Sequence, residues 1–140
     1  VIFVDTGFFF ALFSKKDPDH GRAAAAFLRF KGQELPRLFV TTNHVVMETI
    51  TLAQASAGHG LAVEAGQILY AEKLARIHQA TFDEERRAFG FLTRHRDKGY
   101  SSVDCVSFVV MQDLGIREAF AIDELFTHYF TAVPGPEREV

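Results

Sequence analysis

Two short apolar runs that each stop abruptly on an aspartate constrain this chain more than any other feature. Val1-Ile2-Phe3-Val4 ends at Asp5, ahead of Thr6-Gly7, and Ala119-Phe120-Ala121-Ile122 ends at Asp123. Continuous apolar runs of this length, bounded by turn signals, read as strands buried on both faces, the kind found in parallel sheets. In an open α/β sheet ligands bind beyond the carboxyl ends of the strands, which puts Asp5 and Asp123 on the functional edge. An aspartate after a strand also serves simply as the cap of the next helix, so neither acid carries the reading alone. Their conjunction with others does.

The stretch before Asp123 supplies a third acid. Ser101 and Ser102 are good capping residues, Val103, Val106, Val110 and Leu114 fall close to helical spacing, and Gly115 is a stop. The pattern predicts a helix over 102–114 with Asp104 in its first turn, where the helix dipole and the unpaired N–H groups favour an ionised carboxylate.

The remaining elements alternate. A short helix is expected over 6–15, closed by Lys15-Lys16-Asp17-Pro18, and a second over 19–30, rich in alanine and closed by Lys31-Gly32. Leu38–Thr41 reads as a strand, and Thr41, Thr42 or Asn43 caps a helix reaching about Ala57. Glu48 is the one formally charged residue between Asn43 and Gly60, on a helix whose neighbours Val45, Val46, Met47, Ile50 and Leu52 suggest burial. An acid buried there needs a cationic partner. His44, one turn earlier, shares its face and is assigned packing or support of the site rather than ligation. A helix over 61–74, a short strand over 76–80 and a helix over 81–96, capped around Asp83 and turning Phe89 and Leu92 inward, complete the series. The tail from Pro134 to Val140 is expected to fray. The alternation predicts one small three-layer α/β domain spanning residues 1–140.

Composition sets limits on the rest. A chain of 140 residues with 48% hydrophobic content and 15 phenylalanines builds its own core. The single cysteine, Cys105, excludes an internal disulfide and suits core packing in a reducing compartment. The apolar opening through Phe13 carries Asp5, lacks a basic leader and falls short of the ~20 residues a membrane span needs, so it is read as the core of a cytoplasmic protein with no membrane association. None of the six histidines forms an HxxxH or HxxH pair, which disfavours zinc. A net charge of −3 argues weakly against a general nucleic-acid coat protein. Lys15, Arg22, Arg94 and Lys98 are the candidate phosphate contacts.

Asp5, Glu48, Asp104 and Asp123 can thus reach one edge of one sheet. Four carboxylates brought together repel one another unless counter-charge is present. A hard divalent cation supplies it, and all-oxygen ligation suits Mg²⁺, with Mn²⁺ as a substitute. That set of groups points to phosphodiester hydrolysis with one or two ions.

The motifs Val4-Asp5-Thr6-Gly7, Thr41-Thr42-Asn43-His44-Val45-Val46-Met47-Glu48-Thr49, Ser101-Ser102-Val103-Asp104-Cys105-Val106-Ser107-Phe108 and Ala121-Ile122-Asp123-Glu124-Leu125-Phe126 resemble the PIN domain, specifically VapC-like toxins of toxin–antitoxin pairs. The resemblance covers essentially the whole chain in order. It implies a three-layer α/β/α PIN-like fold with a central, mostly parallel sheet, and a Mg²⁺-dependent endoribonuclease that cleaves structured or transfer RNA and is silenced by a cognate antitoxin. It also implies that Asp5, Glu48, Asp104 and Asp123 form the acidic quartet that holds metal and catalyses. Thr6, with Ser101 or Ser102, supports those acids. A homodimer is implied too, with exposed phenylalanines near residues 8 to 13 as dimer or antitoxin contacts. The last motif departs from the family in carrying Leu125 where a histidine is usual, and Thr127 to Val133 lacks the usual Gly-Phe ending.

Other readings fit less well. A haloacid-dehalogenase-type phosphatase needs a second aspartate at position 7, which is glycine, and a receiver domain needs adjacent acids after its first strand. The alternative in a different class is a catalytically silent PIN domain acting as an RNA- or protein-binding module.

Overall fold

The computed structural model describes residues 1–122, Leu125 and the backbone of residues 131–133. Twelve elements follow in order: β1 (Ile2–Val4), α1 (Thr6–Phe13), α2 (His20–Leu28), α3 (Leu35–Leu38), β2 (Phe39–Thr42), α4 (Asn43–Ala57), α5 (His59–Tyr70), β3 (Arg76–His78), α6 (Phe82–Arg94), α7 (Ser102–Leu114), β4 (Glu118–Phe120) and β5 (Thr131–Val133). The strands form one sheet in the order β3-β2-β1-β4-β5, and every neighbouring pair is parallel. Parallel neighbours need crossovers, and the helices supply them.

On β1 the successive residues Phe3 and Val4 point to opposite faces, and both are fully buried. Helices therefore cover both faces of the sheet, giving three layers. Strand order runs from β1 through β2 to β3 on one side, then jumps to β4 and β5 on the other. The reversal falls between β1 and β4, the position at which an open α/β sheet forms its crevice.

Aromatic rings fill one side of the sheet. Phe8 stacks on Phe120 with centroids 4.5 Å apart, Phe27 meets Phe39 at 4.9 Å, and Phe30 meets Phe39 edge-on at 5.1 Å. Such pairs add about 0.5–1.5 kcal/mol each beyond the area they bury, so phenylalanine does here what tryptophan does elsewhere. Cys105 lies within the core and is fully buried.

Several expectations shift. The strand expected over 119–122 spans Glu118–Phe120, that over 76–80 stops at His78, and the helix expected over 61–74 runs from His59 to Tyr70. Two elements lie outside the expected series: the single turn α3, with Pro36 near its start, and β5. The cap of α6 is Thr81, whose hydroxyl accepts from the Glu84 N–H while Glu84 accepts from the Thr81 N–H, a reciprocal capping box. Phe89 does not turn inward; it is 67% exposed, because Glu84 and Ala88 take the buried face of α6. The phenylalanines of α1 are not exposed either: Phe8 and Phe9 are fully buried, and Phe10 and Phe13 partly so. The expected frayed tail, 134–140, lies outside the described residues.

Candidate functional site

Asp5 follows β1 directly, and its N–H donates to the Phe120 carbonyl at 3.0 Å, so backbone pairing between β1 and β4 fixes its position. It sits at the capping position of α1, yet its side chain makes no capping hydrogen bond. The carboxylate is therefore not committed to the helix, although it is buried, with 4% of the residue exposed. Thr6, the next residue, is also buried, and its hydroxyl oxygen has no hydrogen-bond partner among the described residues. A buried hydroxyl without a partner costs about 1–3 kcal/mol, an arrangement that a ligand oxygen or an ion's hydration shell would relieve.

β2 is tied to the end of β1 by the Thr41 hydroxyl, which donates to the Val4 carbonyl at 2.8 Å. Thr42 then caps α4 by accepting from the Val45 N–H. This start aims Glu48, on the second turn of α4, at the same edge as Asp5. Asp104 reaches that edge from α7, held by a reciprocal capping box with Ser101.

These groups meet in one cleft of about 500 Å³, whose walls include Asp5, Thr6, Glu48, Ser101 and Asp104. The remaining lining is mostly uncharged, including Thr51, Leu52 and Ala55 from α4, together with Gly99 and Leu125. Of the candidate site residues, Ser102 is not part of the lining and is exposed, and Asp123 lies outside the described residues. Sequence reasoning misses the α4 wall, although Thr51, Leu52 and Ala55 stand three, four and seven residues after Glu48, which is the spacing of one helix face.

The expected burial of Glu48 on α4 is corrected. No cationic side chain pairs with Glu48 among the described residues, and none is required, because Glu48 is only partly buried at the cleft wall. The helix itself is half open, with Met47 55% exposed. His44, assigned packing or support, has its Nε2 2.6 Å from Oε2 of Glu85 and links α4 to α6. The Cys105 thiol is pushed up to about 11, by burial first and by the Asp104 charge second. It stays protonated at neutral pH and is no nucleophile.

No group of three or more His, Cys, Asp or Glu side chains among the described residues stands close enough to hold a metal ion. The donors do fit a hard divalent cation in kind: three carboxylates and three hydroxyls on one cleft, with oxygen as the only ligand atom. Elsewhere, a wider groove of about 580 Å³ runs along the outer face of α6 past Phe82, Arg86, Phe89 and Thr93.

The PIN domain family matches residues 2–129. The 23S rRNA-specific endonuclease VapC20 of Mycobacterium tuberculosis is 39% identical over 127 residues, covering 91% of this chain and 92% of the relative. The VapC ribonuclease of Archaeoglobus fulgidus is 32% identical over an alignment of 150 positions, covering 97% and 89%. The crystal structure of the M. tuberculosis VapC20, described as a sarcin–ricin loop cleaving toxin, superposes with a TM-score of 0.82 at 36% identity, covering 91% of this chain and 94% of that one. With the sheet order, the crevice between β1 and β4 and the acids on it, these matches lead to one conclusion: the chain belongs to the PIN domain family, among its VapC-type ribonucleases.

Proposed function

We propose that this chain is a metal-dependent endoribonuclease, the toxin of a toxin–antitoxin pair, that hydrolyses RNA at the cleft between β1 and β4. The observation that carries the proposal is that Asp5, Glu48 and Asp104, from three separate elements, all line one cleft. Asp123, two residues past Ala121 in sequence, is proposed as the fourth acid. The group these residues would hold is Mg²⁺, with Mn²⁺ able to replace it, and bound there it activates water and offsets charge on the phosphate.

The chain's own residues supply the positioning. Burial of Asp5 and the capping-box grip on Asp104 fix two carboxylates before any ligand arrives, which lowers the reorganisation needed for reaction. Thr6 offers its hydroxyl beside Asp5. Beyond Glu48, the α4 wall of Thr51, Leu52 and Ala55 is uncharged and gives the reacting strand a surface that does not repel it.

The proposed substrate is a structured RNA, with the sarcin–ricin hairpin of 23S rRNA as first candidate because relatives are named for it, and transfer RNA as second. The cognate antitoxin is the proposed inhibitor, and the cytoplasm, where such RNA resides, the proposed location; among the described residues no helix is long and apolar enough to cross a membrane. A homodimer is proposed on the outer face of α6 rather than on α1. Phe82 and Phe89 are 76% and 67% exposed there, and the acids of its first turn and the arginines further along suit antiparallel pairing with a second copy. Residues 1–140 are proposed to work as one unit.

The test is cleavage of total RNA by purified protein with Mg²⁺ or EDTA, beside Asp5→Asn. Discrete cuts that require both metal and Asp5 are expected. Metal binding without any cleavage that depends on Asp5 would favour the silent binding module instead.

A further inference from the structure

Cations are distributed unevenly about the acidic cleft. The α4 wall has none: from Asn43 to Ala57 the one formally charged side chain is Glu48. The opposite rim is the loop between α6 and α7, which enters the cleft at Gly99 and Ser101. Just before Gly99 the chain reads Arg94-His95-Arg96-Asp97-Lys98, and all three cations are exposed.

This loop is anchored at both ends. His95 stacks on Phe91 with centroids 4.2 Å apart, and its Nδ1 lies 2.9 Å from the Phe91 carbonyl. The Lys98 N–H donates back to the His95 carbonyl, and Tyr100 is buried edge-on against Phe108. The backbone at 95–100 is thus held in place while its charged side chains reach solvent. Arg94 lies over the Phe91 ring, whereas Arg96 and Lys98 have no acidic partner among the described residues. Elsewhere Arg22, Arg37 and Arg87 are each committed to an acid of the fold. Cations left unpaired beside a wall of carboxylates have a use if a polyanion must approach that wall, because phosphate contacts are what position a nucleic acid.

We propose that the substrate backbone is gripped on one side of the cleft only, by Arg96 and Lys98, while the α4 surface of Thr51, Leu52 and Ala55 takes the uncharged sugar and base face of the same strand. The inference rests on the ribonuclease reading and adds a direction to it. Phosphates on one side of the scissile bond are held, and those on the other side are not. Arg96 and Lys98 are positioning residues and do not touch the reacting atoms.

The experiment uses the full chain and two RNA hairpins of equal length, one carrying the sarcin–ricin sequence and one unrelated, with Arg96→Gln, Lys98→Gln, the double variant, and Lys73→Gln as an exposed cation away from the cleft. For whichever hairpin is cut, each rim variant is expected to raise KM several-fold with kcat unchanged. Each should also reduce the slope of log KM against log salt by about 0.7 for every phosphate that is no longer neutralised. Lys98→Arg should restore KM, and Lys73→Gln should match wild type. Cleavage whose KM ignores both rim residues overturns this inference and leaves the ribonuclease reading intact. If wild type cuts neither hairpin, that reading fails for these RNAs, and the same variants are compared by fluorescence anisotropy on the same hairpins. Binding that ignores Arg96 and Lys98, or no binding, then overturns the inference as well.

Discussion

Ser101 and Asp104 hold each other: the Asp104 N–H donates to the Ser101 hydroxyl at 3.0 Å, and the Ser101 N–H donates to Oδ2 of Asp104 at 2.9 Å. One carboxylate oxygen therefore serves the helix start while the residue lines the cleft. Local helix stability and site geometry rest on the same contact, so a change at Ser101 should be felt in both.

Ser101→Ala removes one half of this capping box and is expected to cost about 0.5–2 kcal/mol of stability, whereas Ser101→Gly should cost only a few tenths. Urea unfolding measures this. In cleavage assays Ser101→Ala should lose about 10–100-fold, the range seen when support for a metal-holding carboxylate is removed. Unchanged activity at reduced stability would mean that the cap serves α7 alone.

Three acids line one cleft, and a divalent cation held by them should stabilise the fold. Adding Mg²⁺ or Mn²⁺ at about 100 times its Kd should stabilise the fold by about 2.7 kcal/mol. Asp5→Asn should lose most of that gain and, in EDTA, melt no lower than wild type. Calorimetry with and without metal decides this independently of any substrate. An equal metal response in both proteins would remove Asp5 from the ligand set.

Phe89 stands among exposed side chains on α6, with Phe82 two turns away and the Arg86 guanidinium 5.9 Å from the Phe82 ring centre. Phe89→Glu places charge in a face that two copies would have to dehydrate, and light scattering should find it monomeric at concentrations where wild type is a dimer. Because the position is exposed, its urea midpoint measured in the monomer should change little. A dimer that survives Phe89→Glu would put the contact elsewhere.

Parts of this architecture are legible in the sequence because one local cause dominates there. α7 matches expectation because Ser101 caps it, Asp104 closes the box, and Gly115 ends it at φ +69°, the left-handed region glycine accepts readily. The end of β1 ahead of Asp5 stands out for a similar reason, since burial on both faces leaves an uninterrupted apolar run. β4 is displaced by a residue or two from its apolar run because such a run does not say where ladder pairing begins: Glu118, outside the run, pairs with Ile2. Phe89 misleads for a different reason. The buried face of α6 is taken by the polar Glu84, which His78 contacts at 2.9 Å and which also accepts from the Thr81 N–H. A satisfied acid thus occupies a position that hydropathy assigns to a phenylalanine. The α4 cleft wall is hidden by the opposite error, because Thr51, Leu52 and Ala55 belong to an apolar helix that reads as buried although one stripe faces the cleft.

Arg87 ties α6 to α7, with Nη1 donating to Oδ1 of Asp113 at 3.0 Å and Nη2 to Oδ2, while its Nε donates to Asp83 at 2.8 Å. Hydrogen bonding from Arg87 is the main reason the Asp113 carboxyl titrates below the ordinary carboxylate range. A carboxyl whose folded pKa is depressed adds stability above its unfolded pKa, and that stability is lost as pH falls through the folded value. Arg87→Met should therefore unfold more readily than wild type at pH 7. The difference should shrink below about pH 4, where unfolded aspartate begins to protonate, and vanish once Asp113 is protonated in the folded protein too. The pair is largely exposed, so 1 M salt should also narrow the gap at pH 7. Thermal melts of both proteins from pH 7 to pH 2, at low and high salt, test all of this. A gap that stays constant with pH would assign the contribution of Arg87 to the packing of its aliphatic stem rather than to its ion pairs.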